Sequence, residues 1–139
     1  VIGIDGSAAM LKAAKKRTAE FANVDLRKGD LSEVPIESSS CHAALVVLAL
    51  TYVPEPAKVI AELSRILRPG GRGVIVDLLP HDREEFRRQT GQMSRGLEPK
   101  AVERMMIDAG MEQVITRQLP PEQNVKGPAL FSAVGQRPM

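Results

Sequence analysis

The chain has 139 residues, 43% apolar and 26% charged, which suits one compact domain and leaves no room for a second. Nineteen Lys and Arg against 17 Asp and Glu leave a formal charge of +2, so there is no electrostatic case for nucleic-acid or membrane binding. The single cysteine, Cys41, cannot form an internal disulfide, the longest apolar run is far shorter than the roughly 20 residues of a bilayer crossing, and no basic n-region with an apolar h-region opens the chain; the expected compartment is a reducing cytoplasm.

In chain order, Val1 to Ile4 is apolar and β-branched and reads as a buried strand ending at Asp5. Gly6-Ser7 makes a turn with a helix N-cap candidate. A helix is predicted from Ala8 to about Glu20, with Met10, Leu11 and Ala14 as its apolar stripe and Lys12, Lys15, Lys16 and Arg17 on the solvated face. Val24 to Lys28 alternates apolar and polar residues and reads as a strand closed by Gly29-Asp30. His42 to Leu50 is almost continuously apolar, as expected of a strand covered on both faces. Pro54 and Pro56 then open a helix with Val59, Ile60, Leu63, Ile66 and Leu67 at helical spacing, predicted to end at Pro69-Gly70-Gly71. A strand over Gly73 to Leu79, a charged helix from Asp82 to about Gln89 and a helix from Pro99 to Ala109 follow. Strands at Gln113 to Leu119 and Ala129 to Val134, joined by a loop with Pro120, Pro121 and Pro128, close the chain.

Strands alternating with amphipathic helices predict an α/β doubly wound sheet, mostly parallel, whose last two strands pair antiparallel because no helix joins them. In such a sheet the ligand crevice lies beyond the carboxyl ends of the strands. Asp5 stands at one such end, where a carboxylate can accept from both hydroxyls of a ribose; the alternative is that it assists Ser7 in capping the helix. Asp30 stands at the next, where it can meet the edge of an adenine or simply form an Asx turn. Two carboxylates at successive strand ends form a constellation that a nucleoside explains and turns alone do not require.

The segments Val1-Ile2-Gly3-Ile4-Asp5, Ser7 with Met10-Leu11, Gly29-Asp30-Leu31, Pro35, Val53-Pro54-Glu55-Pro56 and Arg65-Ile66-Leu67-Arg68-Pro69-Gly70-Gly71-Arg72 resemble class I S-adenosylmethionine-dependent methyltransferases, most of all the ubiquinone/menaquinone-biosynthesis-like branch. The likeness covers about residues 1 to 79. The rest, from His81-Asp82-Arg83-Glu84 through Lys126-Gly127-Pro128-Ala129-Leu130-Phe131, resembles methyltransferase halves of proteins that carry an ArsR-type winged-helix repressor at the N-terminus.

The resemblance implies a Rossmann-like methyltransferase sheet with S-adenosylmethionine as cofactor. It places the ribose on Asp5, with Gly6 beside it, Met10 near the adenine, Asp30 and Leu31 at the adenine edge, and the backbone of Val47 toward the methionyl group. It also implies a first strand and a glycine-rich turn ahead of Val1, neither of which these residues contain. The absent strand is expected at the centre of the sheet, between Val1 to Ile4 and His42 to Leu50, so the single methyltransferase-like domain of residues 1–139 reads as N-terminally truncated. His42 stands where the family usually has an aspartate.

Other residues carry plainer readings. Cys41 at a strand entry reads as a small buried hydrophobe, and His42 and His81 lack partners at metal-ligand spacing, so no metal is expected. His81 follows a strand and could serve as a general base, or cap the helix at Asp82. The expected function is methyl transfer to a small-molecule substrate by a longer protein, with no catalytic side chain assigned. Its partners include an upstream winged-helix domain and a second copy of the chain as open expectations. A nucleoside-sensing module of a transcriptional regulator and a nicotinamide-dependent oxidoreductase are the alternatives.

Overall fold

The computed structural model describes residues 1–121, 123–124 and 127–139; Glu122, Val125 and Lys126, in the stretch predicted as the last inter-strand loop, lie outside the described residues. Among the described residues six strands and four α-helices follow in the order β1 (Ile2–Asp5), α1 (Ala8–Thr18), β2 (Asp25–Lys28), β3 (Cys41–Val47), α2 (Pro56–Ile66), β4 (Leu67–Leu78), α3 (Glu84–Thr90), α4 (Pro99–Asp108), β5 (Glu112–Gln118) and β6 (Leu130–Gln136). A 3-10 turn over Leu50–Tyr52 links β3 to α2.

The strands form two separate sheets. β1 and β2 pair in parallel, and the remaining four lie in the order β3-β4-β6-β5. β3 and β4 are parallel, whereas β6 runs antiparallel to both β4 and β5, as the helix-free link predicts. Among the described residues no strand pairing joins β1 to β3.

Helix α2 explains where the core sits. Pro56 occupies its first turn, where a missing N–H costs nothing. Val59, Ile60, Leu63 and Ile66 recur at helical spacing and are buried, the first three in one cluster with Leu67 and Ile75 of β4 and Phe131 and Ala133 of β6. Val102 and Met106 of α4 join the same cluster, and Ser64 Oγ donates to Ala109 O at 2.9 Å, tying α2 to the end of α4. At about 1.5–3 kcal/mol for each large aliphatic side chain removed from water, this cluster is the main source of cohesion.

Several expectations need correction, the first being that Val1 to Ile4 is buried: Val1 is 83% and Ile2 39% exposed, and β1 holds no fully buried residue. Helix α2 ends at Ile66, not at Pro69-Gly70-Gly71, because Leu67 already has extended dihedrals and pairs with Cys41. β4 consequently begins at Leu67 rather than Gly73 and carries the Pro-Gly-Gly stretch, with a bulge opposite Cys41 and Ala43. The strand predicted over His42 to Leu50 stops at Val47, and only one of its faces is covered: Ala44 and Val46 pack on the core, while Leu45 is 67% and Val47 52% exposed. Helix α1 likewise buries no residue, and Met10 on its expected apolar stripe is 60% exposed.

Candidate cofactor site

At the carboxyl end of β1 the chain must turn abruptly into α1, and local hydrogen bonds determine how. Ser7 is extended and its Oγ accepts from Met10 N at 3.3 Å, capping the helix. Asp5 Oδ1 accepts from Ser7 N at 2.8 Å, so the capping role weighed for Asp5 is present. That bond uses one oxygen only. Oδ2 has no partner among the described residues, on a half-buried side chain that borders a cleft.

The next strand end is built in the same manner. Asp30 Oδ1 accepts from Ser32 N at 2.8 Å and from Ser32 Oγ at 2.6 Å, an Asx turn that holds its carboxyl below the usual carboxylate range. Leu31 then turns inward and packs against the core. The segment beyond it is fastened to α2: Glu62 Oε2 accepts from Val34 N at 2.8 Å, and Arg65 donates to Glu62 Oε1 at 2.7 Å, to Val34 O at 3.1 Å and to Ser38 Oγ at 3.0 Å. The Arg65 guanidinium beside Glu62 holds that carboxyl below its ordinary range as well.

The cleft of about 730 Å³ between the two sheets is where these pieces meet. Asp5, Leu31 and Val47 line it together, with Ala49 beyond Val47. Gly6, Met10 and Asp30 are not part of its wall, although Gly6 and Asp30 adjoin residues that are. Leu48, directly after Val47, has φ of 53°, a left-handed backbone that a branched side chain rarely takes. Strain of this kind collects at ligand sites, and here it lies between two residues of the cleft wall, Val47 and Ala49.

Sequence reasoning missed Asp77. It is fully buried at the end of β4, its Oδ2 accepting from Leu50 N at 3.0 Å and its Oδ1 from Leu78 N at 2.8 Å. Burial pushes its carboxyl up, and those two backbone donors oppose the rise. A carboxylate interrupting the apolar run Val74 to Leu79 was the available signal. Beyond it, Met93 N donates to Thr51 O at 2.7 Å and His81 N to Arg95 O at 3.0 Å, which brings the 92–96 loop against Thr51 and the end of β4. Gly96, with φ of 93°, permits this approach, since a Cβ there would lie 2.2 Å from Leu79 O.

The two histidines have structural partners. Arg83 N donates to His81 Nδ1 at 3.1 Å beside the start of α3, which leaves the proton of a neutral ring on Nε2. His81 in this state is a donor at Nε2, and its ring stands edge-on to Phe86. His42 Nε2 contacts the Arg68 guanidinium at the rim of the cleft. Cys41 is half-buried and lines the cleft, instead of being enclosed in the core.

A carboxylate oxygen free at a strand end, with an apolar wall beside it, fits the ribose and base of a nucleoside. Residues 1–75 match a family described as a methyltransferase domain, and the chain belongs to that family. Class I S-adenosylmethionine-dependent methyltransferases share its fold. The chain is 38% identical over 77 residues to a demethylmenaquinone methyltransferase of Staphylococcus aureus strain JH9, covering 55% of this chain and 32% of that protein. It is 41% identical over 75 residues to a 37.1 kDa protein in transposon TN4556 of Streptomyces fradiae, covering 54% and 22%. The chain thus spans less than a third of the length of these relatives. Among solved structures it superposes on phosphoethanolamine N-methyltransferase 2 of Haemonchus contortus, in complex with S-adenosyl-L-methionine, with a TM-score of 0.81 at 15% identity, covering 100% of this chain and 43% of that one. It also superposes on the [4+2]-cyclase SpnF with a TM-score of 0.79 at 16% identity, covering 99% and 65%. Both likenesses are of fold.

Proposed function

We propose that the longer protein to which these residues belong transfers a methyl group from S-adenosylmethionine to a small-molecule acceptor. The observation that carries this reading is the unpartnered Asp5 Oδ2 at the mouth of the cleft, in a chain of methyltransferase family membership. Asp5 would accept from the ribose hydroxyls while its other oxygen keeps α1 capped. The Leu31 side chain offers an apolar surface to the base, with Asp30 and Met10 at its edge and Gly6 beside the ribose. Val47, at the end of β3, contributes backbone and an apolar wall on the methionyl side.

The cofactor supplies an activated methyl on a sulfonium, so the protein's part is to orient the acceptor and keep water away. Acceptor contacts would come from the exposed Tyr52 and Met93, on segments joined by the bond from Met93 N to Thr51 O. His81 is not placed to act as a base, because its Nδ1 accepts from Arg83 N and its Nε2 is enclosed. Among the described residues no group of three or more His, Cys, Asp or Glu is placed to hold a metal ion, and no helix is long and apolar enough to cross a membrane. The test is calorimetric titration of the full-length protein with S-adenosylhomocysteine, the product form of the cofactor. Saturable binding is expected; none at millimolar ligand overturns the reading.

A further inference from the structure

Beyond the end of β4, two enclosed polar atoms have no partner among the described residues. Gln92 is 5% exposed, and its Oε1 accepts from no donor. His81 Nε2 is enclosed and equally unpartnered, and it carries the proton of the neutral ring because Nδ1 accepts from Arg83 N. The Thr51 hydroxyl is enclosed too, but it stands beside the Asp77 carboxyl. Buried polar atoms are paired in the great majority of cases, so one acceptor and one donor left over in one region call for a partner from outside the chain.

The main chain holds the two residues in that region. Met93 N and Ser94 N, directly after Gln92, donate to Thr51 O at 2.7 and 3.3 Å, and His81 N donates to Arg95 O at 3.0 Å. Both residues also meet α3. The Phe86 ring stands edge-on to His81 at 5.8 Å, while Arg87 Nη1 donates to Gln92 O and Gln92 N to Arg87 O, each at 3.1 Å. α3 buries no residue, and Glu84 ties it to the loop through Arg95 at 3.7 Å. A short helix held by partly exposed ion pairs is a cover that opens at little cost. Gly91, between α3 and Gln92, has φ of 76° and open space where a Cβ would stand, so the joint is not packed in place.

We propose that Gln92 Oε1 and His81 Nε2–H bind a hydroxyl group of the acceptor, carried on an apolar body that lies against Tyr52 and Met93. The chemistry of the pair selects the group. Oε1 needs a hydrogen and Nε2–H needs a lone pair; a hydroxyl offers both on one oxygen, a carbonyl or an ether only the lone pair, and an ammonium only hydrogens. The buried carboxyl nearby, Asp77, is already taken up by Leu50 N and Leu78 N, so a neutral group suits the pair better than a cation. The exposed side chains of Tyr52 and Met93 supply the apolar surface. Both polar atoms are shut off from water, so the hydroxyl reaches them when α3 and the loop lift, and is enclosed when they settle. His81 is then a donor that orients the acceptor, and Gln92 decides which acceptors fit. The inference rests on the methyltransferase reading only in calling the bound molecule the acceptor.

The experiment titrates the full-length protein with para-butylphenol, para-butylanisole and butylbenzene, followed by NMR. The phenol should bind more tightly than either of the others by about tenfold or more, since a site built around a hydroxyl rejects analogues that lack it. Its binding should also shift the His81 Nε2–H resonance, which butylbenzene leaves in place. In Gln92→Met, where an apolar side chain of similar length replaces the unpaired oxygen and the fold is kept, the preference should vanish while butylbenzene binds as before. Equal affinity for the probes in the native protein overturns the proposal, whatever becomes of the variant, because the enclosed atoms then serve no hydroxyl. A preference that survives Gln92→Met overturns it as well. The probes are titrated with no cofactor present, so a failure of S-adenosylhomocysteine binding and a failure of hydroxyl preference are read apart.

Discussion

Asp5 shows how one side chain can hold two tasks without conflict. Its Oδ1 is committed to Ser7 N and its Oδ2 is free, so the cap and the ribose contact are not alternatives. Asp5→Ala should weaken S-adenosylhomocysteine binding to the full-length protein by about 10- to 100-fold, the worth of one or two hydrogen bonds to a charged group, measured by calorimetry. Asp77 behaves in the opposite sense, since its buried carboxylate faces inward and serves the fold. Its pKa is raised in the folded state from 3.8, so the folded protein holds a proton that the unfolded chain releases. Stability should therefore fall as pH rises from about 4 through that raised value. Urea denaturation across this range should show the slope in the native sequence and lose it in Asp77→Asn. The variant should also cost about 1–3 kcal/mol, because an amide nitrogen would then face one of two backbone N–H donors.

The junction between α2 and β4 is the element where local signals misled. Pro69-Gly70-Gly71 reads as helix-ending punctuation, yet the helix stops earlier and the three residues belong to a strand. Their reason is close packing. Gly70 has φ of 78°, and a Cβ on Gly71 would lie 2.9 Å from Arg68 O, 3.1 Å from His42 O and 3.2 Å from Cys41 O, all rigid backbone. Arg137 locks the far side, donating to Ser39 Oγ at 2.8 Å and to Leu67 O, while Gly70 N donates to Arg137 O at 2.9 Å. Gly71→Ala should destabilise the protein by about 2–3 kcal/mol, whereas Gly91→Ala, where the Cβ meets open space, should show only the smaller penalty of its positive φ. Thermal unfolding of the two variants side by side checks the contrast.

At the scale of the whole molecule, cohesion is unevenly shared. The four-stranded sheet has α2 and α4 buried against it, while β1 and β2 form a two-stranded sheet under a helix with no buried residue. Two strands alone are marginal in water, and the ties to the rest run largely through Glu62, Arg65 and the 31–36 segment. In the 139-residue chain, native-state hydrogen exchange should show Ile2–Asp5 and Asp25–Lys28 opening at lower free energy than Val74–Leu78 and Leu130–Val134. Uniform protection across both sheets would contradict this account.

The element order, the antiparallel end of the sheet and the helix cap at Ser7 were legible in the residues, because periodicity and capping depend on neighbours a few positions apart. The placement of Asp5 at the end of β1 and of Asp30 just beyond β2 was legible for the same reason. What only the tertiary structure decided was how the surfaces were used. An apolar run such as His42 to Leu50 reveals that its side chains avoid water, but not which face finds a partner, and here Leu45 and Val47 do not. Asp77 and Gly71 owe their environments to residues far along the chain, Leu50 in one case and Cys41 and His42 in the other. Contacts of that range depend on how strands are ordered in a sheet, and no local pattern in the sequence encodes that order.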